Sequence, residues 1–410
     1  MKKIVVVGAG FAGLSAALRL EKLFRKDLDV SVTLVSKEDY HLFVPNLFEA
    51  ATAEEEFVSV SQVKKAVAVP LKEVFQNRSI SFVQGALTHL DHRKRQVKVG
   101  IRILEYDYLV LALGSQPDFA LVPGALEYAY SLHDLPSALR LRNAMEFAVQ
   151  SKRQDIKKQT LRFLIAGGGY AAIKLAGELV SFLNILAWKY SYPRDRLEVM
   201  VAEGTGRLIG DADEKVSRAA YERLQALGVR VQFHHYLGSV GRHFAEFLNG
   251  EKIQYEILVW ALKSAAASLP AGAEFQEDGR GGIAVDENFM VRGLNNVFAL
   301  GGMVHASDFR GQPVPQNYFS AQHQGEYVAA VVSGLLQNRK PKKYIAKPGP
   351  FSLRVGAKWA IFVRKNIYAQ GYFGYLAELI LHFMHYRSLV GFKKAWNYLY
   401  RETEVLGRND

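Results

Sequence analysis

Gly8, Gly10 and Gly13 fall in the run Lys3-Ile4-Val5-Val6-Val7-Gly8-Ala9-Gly10-Phe11-Ala12-Gly13-Leu14, and Gly167, Gly169 and Ala172 fall in a second run about 160 residues further on. The spacing G-x-G-x-x-G/A between an apolar strand and a helix brings backbone amides to a phosphate. The first glycine turns the chain sharply, the second leaves room for a pyrophosphate, and the third position, Gly or Ala, lets the helix pack on its strand. The free amides of the following helix N-terminus then face the phosphates. Both stretches therefore imply dinucleotide binding. Ile4 to Val7 are apolar on both faces, as a central parallel strand requires.

An acid at the end of the next strand accepts a hydrogen bond from the adenosine ribose, and it disfavours a phosphorylated ribose. Glu203 follows the strand Leu197-Glu198-Val199-Met200-Val201-Ala202, so the second half suits NAD over NADP. In the first half the corresponding strand, Val30 to Val35, ends in Ser36 and Lys37. Two such units in one chain imply two sites, one for a flavin dinucleotide and one for a nicotinamide dinucleotide.

The elements that must hold these turns follow in order. Residues 78–111 read as a run of β structure closing in Ala112-Leu113-Gly114-Ser115, a small-residue turn where backbone can pass close to a cofactor. Residues 133–152 read as a helix, and the second fingerprint helix runs to about Trp188. Strands are expected at Leu258 to Ala261, at Ile283 to Asp286 and at Asn295 to Leu300, the last ending in Gly301-Gly302. A helix from about Phe319 to Leu336 completes the first domain. Tyr40 to Thr52 carries closely spaced aromatics, which suit either a ring-system neighbour or ordinary core packing.

With 410 residues and 49% hydrophobic content, the chain has room for two or three full cores. Cysteine is absent, which excludes disulfides, thiolate metal sites and cysteine redox chemistry, and no metal site is expected. The first residues enter a strand directly with no charged and apolar leader, which reads as an intracellular protein. No stretch approaches about 18 uncharged apolar residues, so no spanning helix is expected. The net charge of +12 is concentrated late: between Arg339 and Arg401 there are 13 Lys and Arg against one acid, Glu378. Aromatics interleave with these cations, and Leu376, Leu379, Ile380 and Phe383 keep helical spacing. That combination describes amphipathic helices lying in an anionic lipid interface. A protein partner fits the same surface, whereas nucleic acid is not expected because no binding module accompanies the charge.

Taken together, these features resemble the type II NADH dehydrogenases, single-chain flavin enzymes that pass electrons from NADH to quinone at the membrane surface. The resemblance rests on Val7 to Gly13, Tyr40-His41-Leu42-Phe43, Leu111 to Ser115, Lys174-Leu175-Ala176-Gly177-Glu178-Leu179, Asn296 to Gly301 and the basic aromatic tail. It implies an α/β fold of two Rossmann-like dinucleotide-binding domains, the two-dinucleotide-binding flavoprotein fold, with a C-terminal amphipathic membrane-surface region. The expected division is 1–120 and 281–340 for the FAD-type domain, 121–280 for the NAD-type domain and 341–410 for the membrane-associating region. Gly8, Gly10, Gly13, Ser36, Gly114, Gly301 and Gly302 would line FAD, and Gly167, Gly169, Ala172 and Glu203 would line NAD(H). Phe319, Gln322 and His323 would lie on the quinone side. Disulfide reductases and sulfide:quinone oxidoreductases share the architecture but work through cysteine sulfur, which this chain lacks.

Four positions depart from the family pattern. Ser36 replaces the ribose-binding acid, and Gly301-Gly302 replaces a Gly-Asp pair whose carboxylate holds the ribityl chain. Ala171-Ala172-Ile173-Lys174 replaces Thr-Gly-x-Glu, which makes Lys174 the flavin-proximal candidate catalytic residue and a cation where the family has a carboxylate. Gln316 to His323 replaces a motif with two glutamines. Two functions are consistent with this set: an FAD-dependent NADH dehydrogenase peripheral to the cytoplasmic side of the cell or inner membrane, or a noncatalytic structural or nucleotide-sensing subunit of a larger membrane complex. Assembly as a homo-oligomer or complex subunit is expected.

Overall fold

The computed structural model describes residues 1–53, 59–152, 160–347 and 349–405. The chain divides into two compact units. Unit 1 comprises Met1–Leu42, Val69–Gln116 and Ser264–Gly349, and unit 2 comprises Phe43–Ala68, Pro117–Lys263 and Pro350–Asp410.

Unit 1 is built on a five-stranded sheet in the order Val297–Ala299, Tyr108–Leu111, Lys2–Val7, Val30–Ser36, Ile80–Gln84, with every pairing parallel. Parallel strands must be covered on both faces, which is why Ile4, Val5, Val6 and Val7 are all buried. The first fingerprint helix, Phe11–Phe24, packs beside the closing helix, Tyr318–Leu336. Their approach is closest where Gly325 meets the Ala12 carbonyl, and a side chain at 325 would collide with it. The β run expected over 78–111 is present, as Ile80–Gln84, an antiparallel set of Leu87–Asp91, Gln96–Val99 and Arg102–Glu105, and Tyr108–Leu111. Ile283 to Asp286, expected as a strand, forms only isolated bridges to Glu277 and Val291.

Unit 2 repeats the arrangement. Its sheet runs Ala129–Ser131, Ile257–Trp260, Leu161–Ala166, Leu197–Ala202, Arg230–Gln232, again all parallel, with the fingerprint strand at the centre. The second fingerprint helix, Tyr170–Lys189, is long and apolar enough to cross a membrane by length and composition, but it carries Lys174 and Glu178 and 67% of its apolar window is buried inside the protein. It is a core helix, covered by the sheet on one side.

The C-terminal segment clusters with unit 2 and holds more than amphipathic helices. An antiparallel sheet, Phe351–Arg354, Ala360–Arg364 and Ile367–Gly371, precedes a penultimate helix, Tyr372–Val390, and a last helix, Phe392–Val405. Tyr375, Tyr386, Leu389, Tyr398 and Leu399 are core residues, whereas Tyr372, Phe373, Ile380, Met384, Phe392, Trp396 and Tyr400 are exposed. Residues 43–68, expected with the first domain, also cluster with unit 2. There Phe43 is fully buried, its ring 4.8 Å from that of His382 and 4.9 Å from that of His385.

Candidate functional sites

The first glycine turn is shaped by two close approaches. Gly8 has φ +110°, a conformation that suits glycine, and a side chain there would collide with the Ala112 carbonyl; a side chain at Gly13 would collide with the Gly8 carbonyl. Gly10, by contrast, faces open space, and as the residue capping the Phe11–Phe24 helix it leaves the first amides without a side-chain cap. Gly114 at the neighbouring strand end is also open. This cradle fits a pyrophosphate on a helix N-terminus.

His41 lines the back of the turn. Its Nδ1 donates to the Ala9 carbonyl at 2.8 Å, which fixes the tautomer because a carbonyl only accepts. Burial pushes its pKa down to about 4, opposed by that same bond, so the ring is neutral near pH 7. Phe11 meets His41 edge-on at 4.8 Å, Tyr318 packs on Phe11 at 5.2 Å, and Phe319 packs on Tyr318 at 4.3 Å.

Ser36 ends its strand half-buried, at the place where the family pattern has a carboxylate. At Gly301-Gly302 the turn is tight. The Gly301 amide donates to the buried Gln324 side-chain oxygen at 2.7 Å, and a side-chain carbon at Gly302 would lie 3.0 Å from both Cβ and Oγ of Ser115. His323 Nδ1 lies 3.2 Å from the Tyr344 hydroxyl, and burial, followed by Lys347, lowers its pKa. Phe319, Gln322 and His323 share the first half of the closing helix, which the Asn317 side chain caps through the Ser320 amide.

The second turn has the same construction. Gly167 has φ +107° and sits 2.6 Å, measured to an added side-chain carbon, from the Ala261 carbonyl. Gly169 caps the Tyr170–Lys189 helix without a side-chain cap and faces open space, and Ala172 is fully buried. Glu203 does more than end a strand. Its Oε2 accepts from the Gly168 amide at 2.6 Å, and its Oε1 accepts from the Thr205 amide and hydroxyl, each at 2.7 Å. The carboxylate therefore braces the glycine turn, and since a carboxylate has about four acceptor sites, one remains on Oε2 for a hydroxyl.

Lys174 lies in the second turn of the same helix. Its ammonium is 3.0 Å from Glu378 Oε1, so its charge is neutralised within unit 2. Glu378 Oε2 in turn accepts from Arg354 Nε at 2.8 Å, and Arg354 also pairs with Glu49 and lies 3.9 Å from Glu402. Glu402 holds His382 Nδ1 at 2.6 Å. Burial opposes ionisation of Glu378, but Arg354, then Lys174 and His382, outweigh it and hold the carboxyl well below the usual range. Burial likewise works against the Arg354 cation, yet Glu378 and Glu49 raise its pKa well above the ordinary value. Sequence reasoning missed Arg354, Glu49, Glu378, His382 and Glu402 as a group. The available signal was Glu378 and His382, four apart on a largely apolar stretch of helix.

Two parallel sheets, each with a glycine turn leading from its central strand into an uncapped helix, define a two-dinucleotide-binding oxidoreductase fold. Residues 2–325 match the pyridine nucleotide-disulphide oxidoreductase family model, and the chain belongs to that family. It is 25% identical over 353 residues to a type II NADH:quinone oxidoreductase of Staphylococcus saprophyticus, covering 84% of this chain and 85% of the relative, and 24% identical over 351 residues to that of Staphylococcus aureus, with 84% and 85% covered. Among solved structures it is similar to NDH2 from Plasmodium falciparum in complex with NADH (TM-score 0.84, 18% identity, 99% of both chains) and to the sulfide:quinone oxidoreductase of Aquifex aeolicus (TM-score 0.73, 18% identity, 95% and 92%). The disulphide of the family name has no counterpart here, because the chain has no cysteine.

Proposed function

We propose that the protein is a membrane-surface NADH dehydrogenase of the quinone-reducing type. The observation that carries this reading is the pair of open glycine turns, of which the second is braced by Glu203. FAD would be held by Gly8, Gly10, Gly13 and Gly114 in unit 1, and NADH by Gly167, Gly169, Ala172 and Glu203 in unit 2; the flavin, when bound, supplies the hydride-accepting chemistry. The chain's own work is binding and orientation. The two helix termini seat phosphates, the neutral His41 fixes the first turn without adding charge, and Phe319, Gln322 and His323 would border the quinone.

The test is the visible spectrum before and after NADH. A flavin spectrum bleached by NADH is expected, and a colourless protein that added FAD cannot restore would refute the reading. A second reading, a noncatalytic nucleotide-binding subunit, is favoured by the Ser and Gly that stand at 36 and 302 in place of the family's carboxylates. Hydrogen bonds to charged groups contribute roughly 1.5 to 3 kcal/mol each, so the changes at Ser36 and Gly302 weaken FAD binding by about 10² to 10⁴. FAD is therefore expected to be lost partly on gel filtration. Gly302→Asp is expected to tighten FAD binding measured by flavin fluorescence, since the Ser115 contacts of 3.0 to 3.1 Å need to give by only a few tenths of an ångström to admit the side chain.

Glu203 supports NADH over NADPH. Glu203→Ala is expected to weaken NADH binding and shrink the preference, as read by titration of both nucleotides, because it removes the ribose acceptor and the brace on Gly168 together. A preference for NADPH in the unaltered protein would overturn the assignment.

Membrane association is supported by the exposed apolar stripe of the last two helices beside Arg387, Lys393, Lys394 and Arg401. Each cation near an anionic surface contributes about 1 kcal/mol. Arg387→Glu with Lys393→Glu is expected to reduce sedimentation with anionic vesicles at least about tenfold and leave the fold intact, since both residues are exposed. Unchanged sedimentation would remove lipid as the partner.

A further inference from the structure

In the parallel sheet of unit 2 the strands Leu161–Ala166, Leu197–Ala202 and Arg230–Gln232 are successive neighbours, so their C-terminal ends stand side by side along one edge. Gly167 follows the first of these ends, Glu203 the second, and Phe233 to Tyr236 the third. Ligands of such sheets gather outside the C-terminal strand ends. A dinucleotide with its pyrophosphate at the glycine turn and its adenosine ribose at Glu203 has already crossed from the first strand end to the second. The base carried on that ribose would come next to the third, at Phe233 to Tyr236, which the glycine turn and Glu203 leave without a role.

The segment there is tied to the ribose acceptor. The Glu203 amide donates to the Gln232 carbonyl at 2.8 Å, the His235 amide donates to the Glu203 carbonyl at 2.9 Å, and the His234 amide donates to the Thr205 carbonyl at 3.2 Å. On the far side, His235 Nε2 lies 2.9 Å from Glu251, and the Leu248 amide donates to the Tyr236 carbonyl at 2.8 Å. On this frame the Tyr236 ring lies against Gly204, where an added side-chain carbon would stand 2.5 Å from Cδ1 and 2.6 Å from Cε1. Gly204 is buried, yet the tyrosine that covers it is 54% exposed. The exposed His234 ring covers Gly206 in the same way, and its backbone is held at φ +61°, which residues other than glycine seldom adopt. Such backbone is concentrated at ligand clamps. An aromatic ring seated on backbone beside a ribose acceptor, with most of its surface open, offers a planar base a stacking face.

We propose that Tyr236 is the surface on which the adenine of NADH stacks, and that position 204 is glycine so that this ring can lie beside the ribose acceptor. The inference rests on the proposed nucleotide site of unit 2 and deepens it by assigning the adenine end of the cofactor. Tyr236 binds and orients, and it takes no part in hydride transfer.

The test is calorimetric titration of the full-length protein with NAD+, which binds without being consumed. Tyr236→Ser is expected to weaken NAD+ about tenfold, the scale of one base stacked on an aromatic ring, and Tyr236→Phe is expected to bind as the unaltered protein does. Because the side chain is exposed, urea unfolding of unit 2 followed by tryptophan fluorescence should be the same in all three. Equal NAD+ affinity in Tyr236→Ser and the unaltered protein would overturn the proposal. A weakened affinity matched by a loss of unit 2 stability, or one that Tyr236→Phe shares, would overturn it as well, since the first marks a structural support and the second a role for the hydroxyl. A further measurement needs no variant. Irradiation of the protein with a 2-azidoadenine analogue of NAD+ is expected to label the tryptic peptide from Val231 to Arg242, and labelling confined to other peptides would count against Tyr236. If the unaltered protein binds no NAD+, the nucleotide reading of unit 2 and the stacking surface fall together. If it binds NAD+ regardless of what stands at 236, only the stacking surface falls.

Discussion

Replacing Arg354 with Met is expected to destabilise unit 2 by about 3 to 5 kcal/mol, the range found when one partner of a buried ion pair is removed. Arg354 is 5% exposed, and its guanidinium is shared by Glu378, Glu49 and Glu402, all of them buried. A methionine fills the volume but leaves these carboxylates without their central cation. All four tryptophans, Trp188, Trp260, Trp359 and Trp396, lie in unit 2, so urea unfolding followed by tryptophan fluorescence isolates that unit. The sign with pH can be worked out as well. In the unaltered protein the Glu378 carboxyl lies below its unfolded value of 4.5, so its contribution is present above about pH 4.5 and is lost as the pH falls through the folded value. In the variant the orphaned carboxyls rise in pKa, and mild acid should recover part of the loss by neutralising them. A loss below about 1 kcal/mol, or one that deepens towards pH 5, would show that the cluster is solvated and not held by Arg354.

Unit 1 is expected to lose about 3 kcal/mol of stability between pH 6.5 and pH 4 through His41 alone. The folded ring has a pKa pushed down to about 4 from 6.5, and every tenfold loss of proton affinity corresponds to about 1.4 kcal/mol. The depressed value means that the fold prefers the neutral ring. The contribution is complete above 6.5 and is withdrawn as the pH falls towards 4, where protonation of Nε2 places a charge in a fully buried site. Because the tryptophans report only unit 2, the measurement is hydrogen exchange of the Val5 to Gly13 amides across that range. His41→Gln, whose amide can still donate to the Ala9 carbonyl, should flatten the dependence. An equally steep dependence in that variant would assign the acid sensitivity to other groups.

The two glycine turns were legible because everything that forms them is contiguous. In each, an apolar β-branched run, a glycine triplet and an Ala/Leu-rich helix lie within about 20 residues, and each piece favours its conformation without help from elsewhere. Strands Leu197–Ala202 and Val30–Ser36 and the closing helix Tyr318–Leu336 followed for the same reason. The small sheet at Phe351 to Gly371 escaped notice because strands of four or five residues carry too short an alternation to stand out among aromatic and basic residues. Glu203 was read as a ribose acceptor from its place at a strand end; its bonds to Gly168 and Thr205 depend on how the next turn folds back.

The sequence by itself determined the class of fold, the two nucleotide turns, the absence of cysteine chemistry and the late concentration of positive charge. Tertiary structure alone decided what Lys174 does. In the sequence it was a cation expected near the flavin, where the family has a carboxylate; in the folded chain it meets Glu378, 204 positions away, and through it Arg354, whose other partner Glu49 is 305 positions away. No local pattern encodes such a meeting, because backbone preferences act over a few residues, whereas the strength of an ion pair depends on how completely distant segments exclude water from around it.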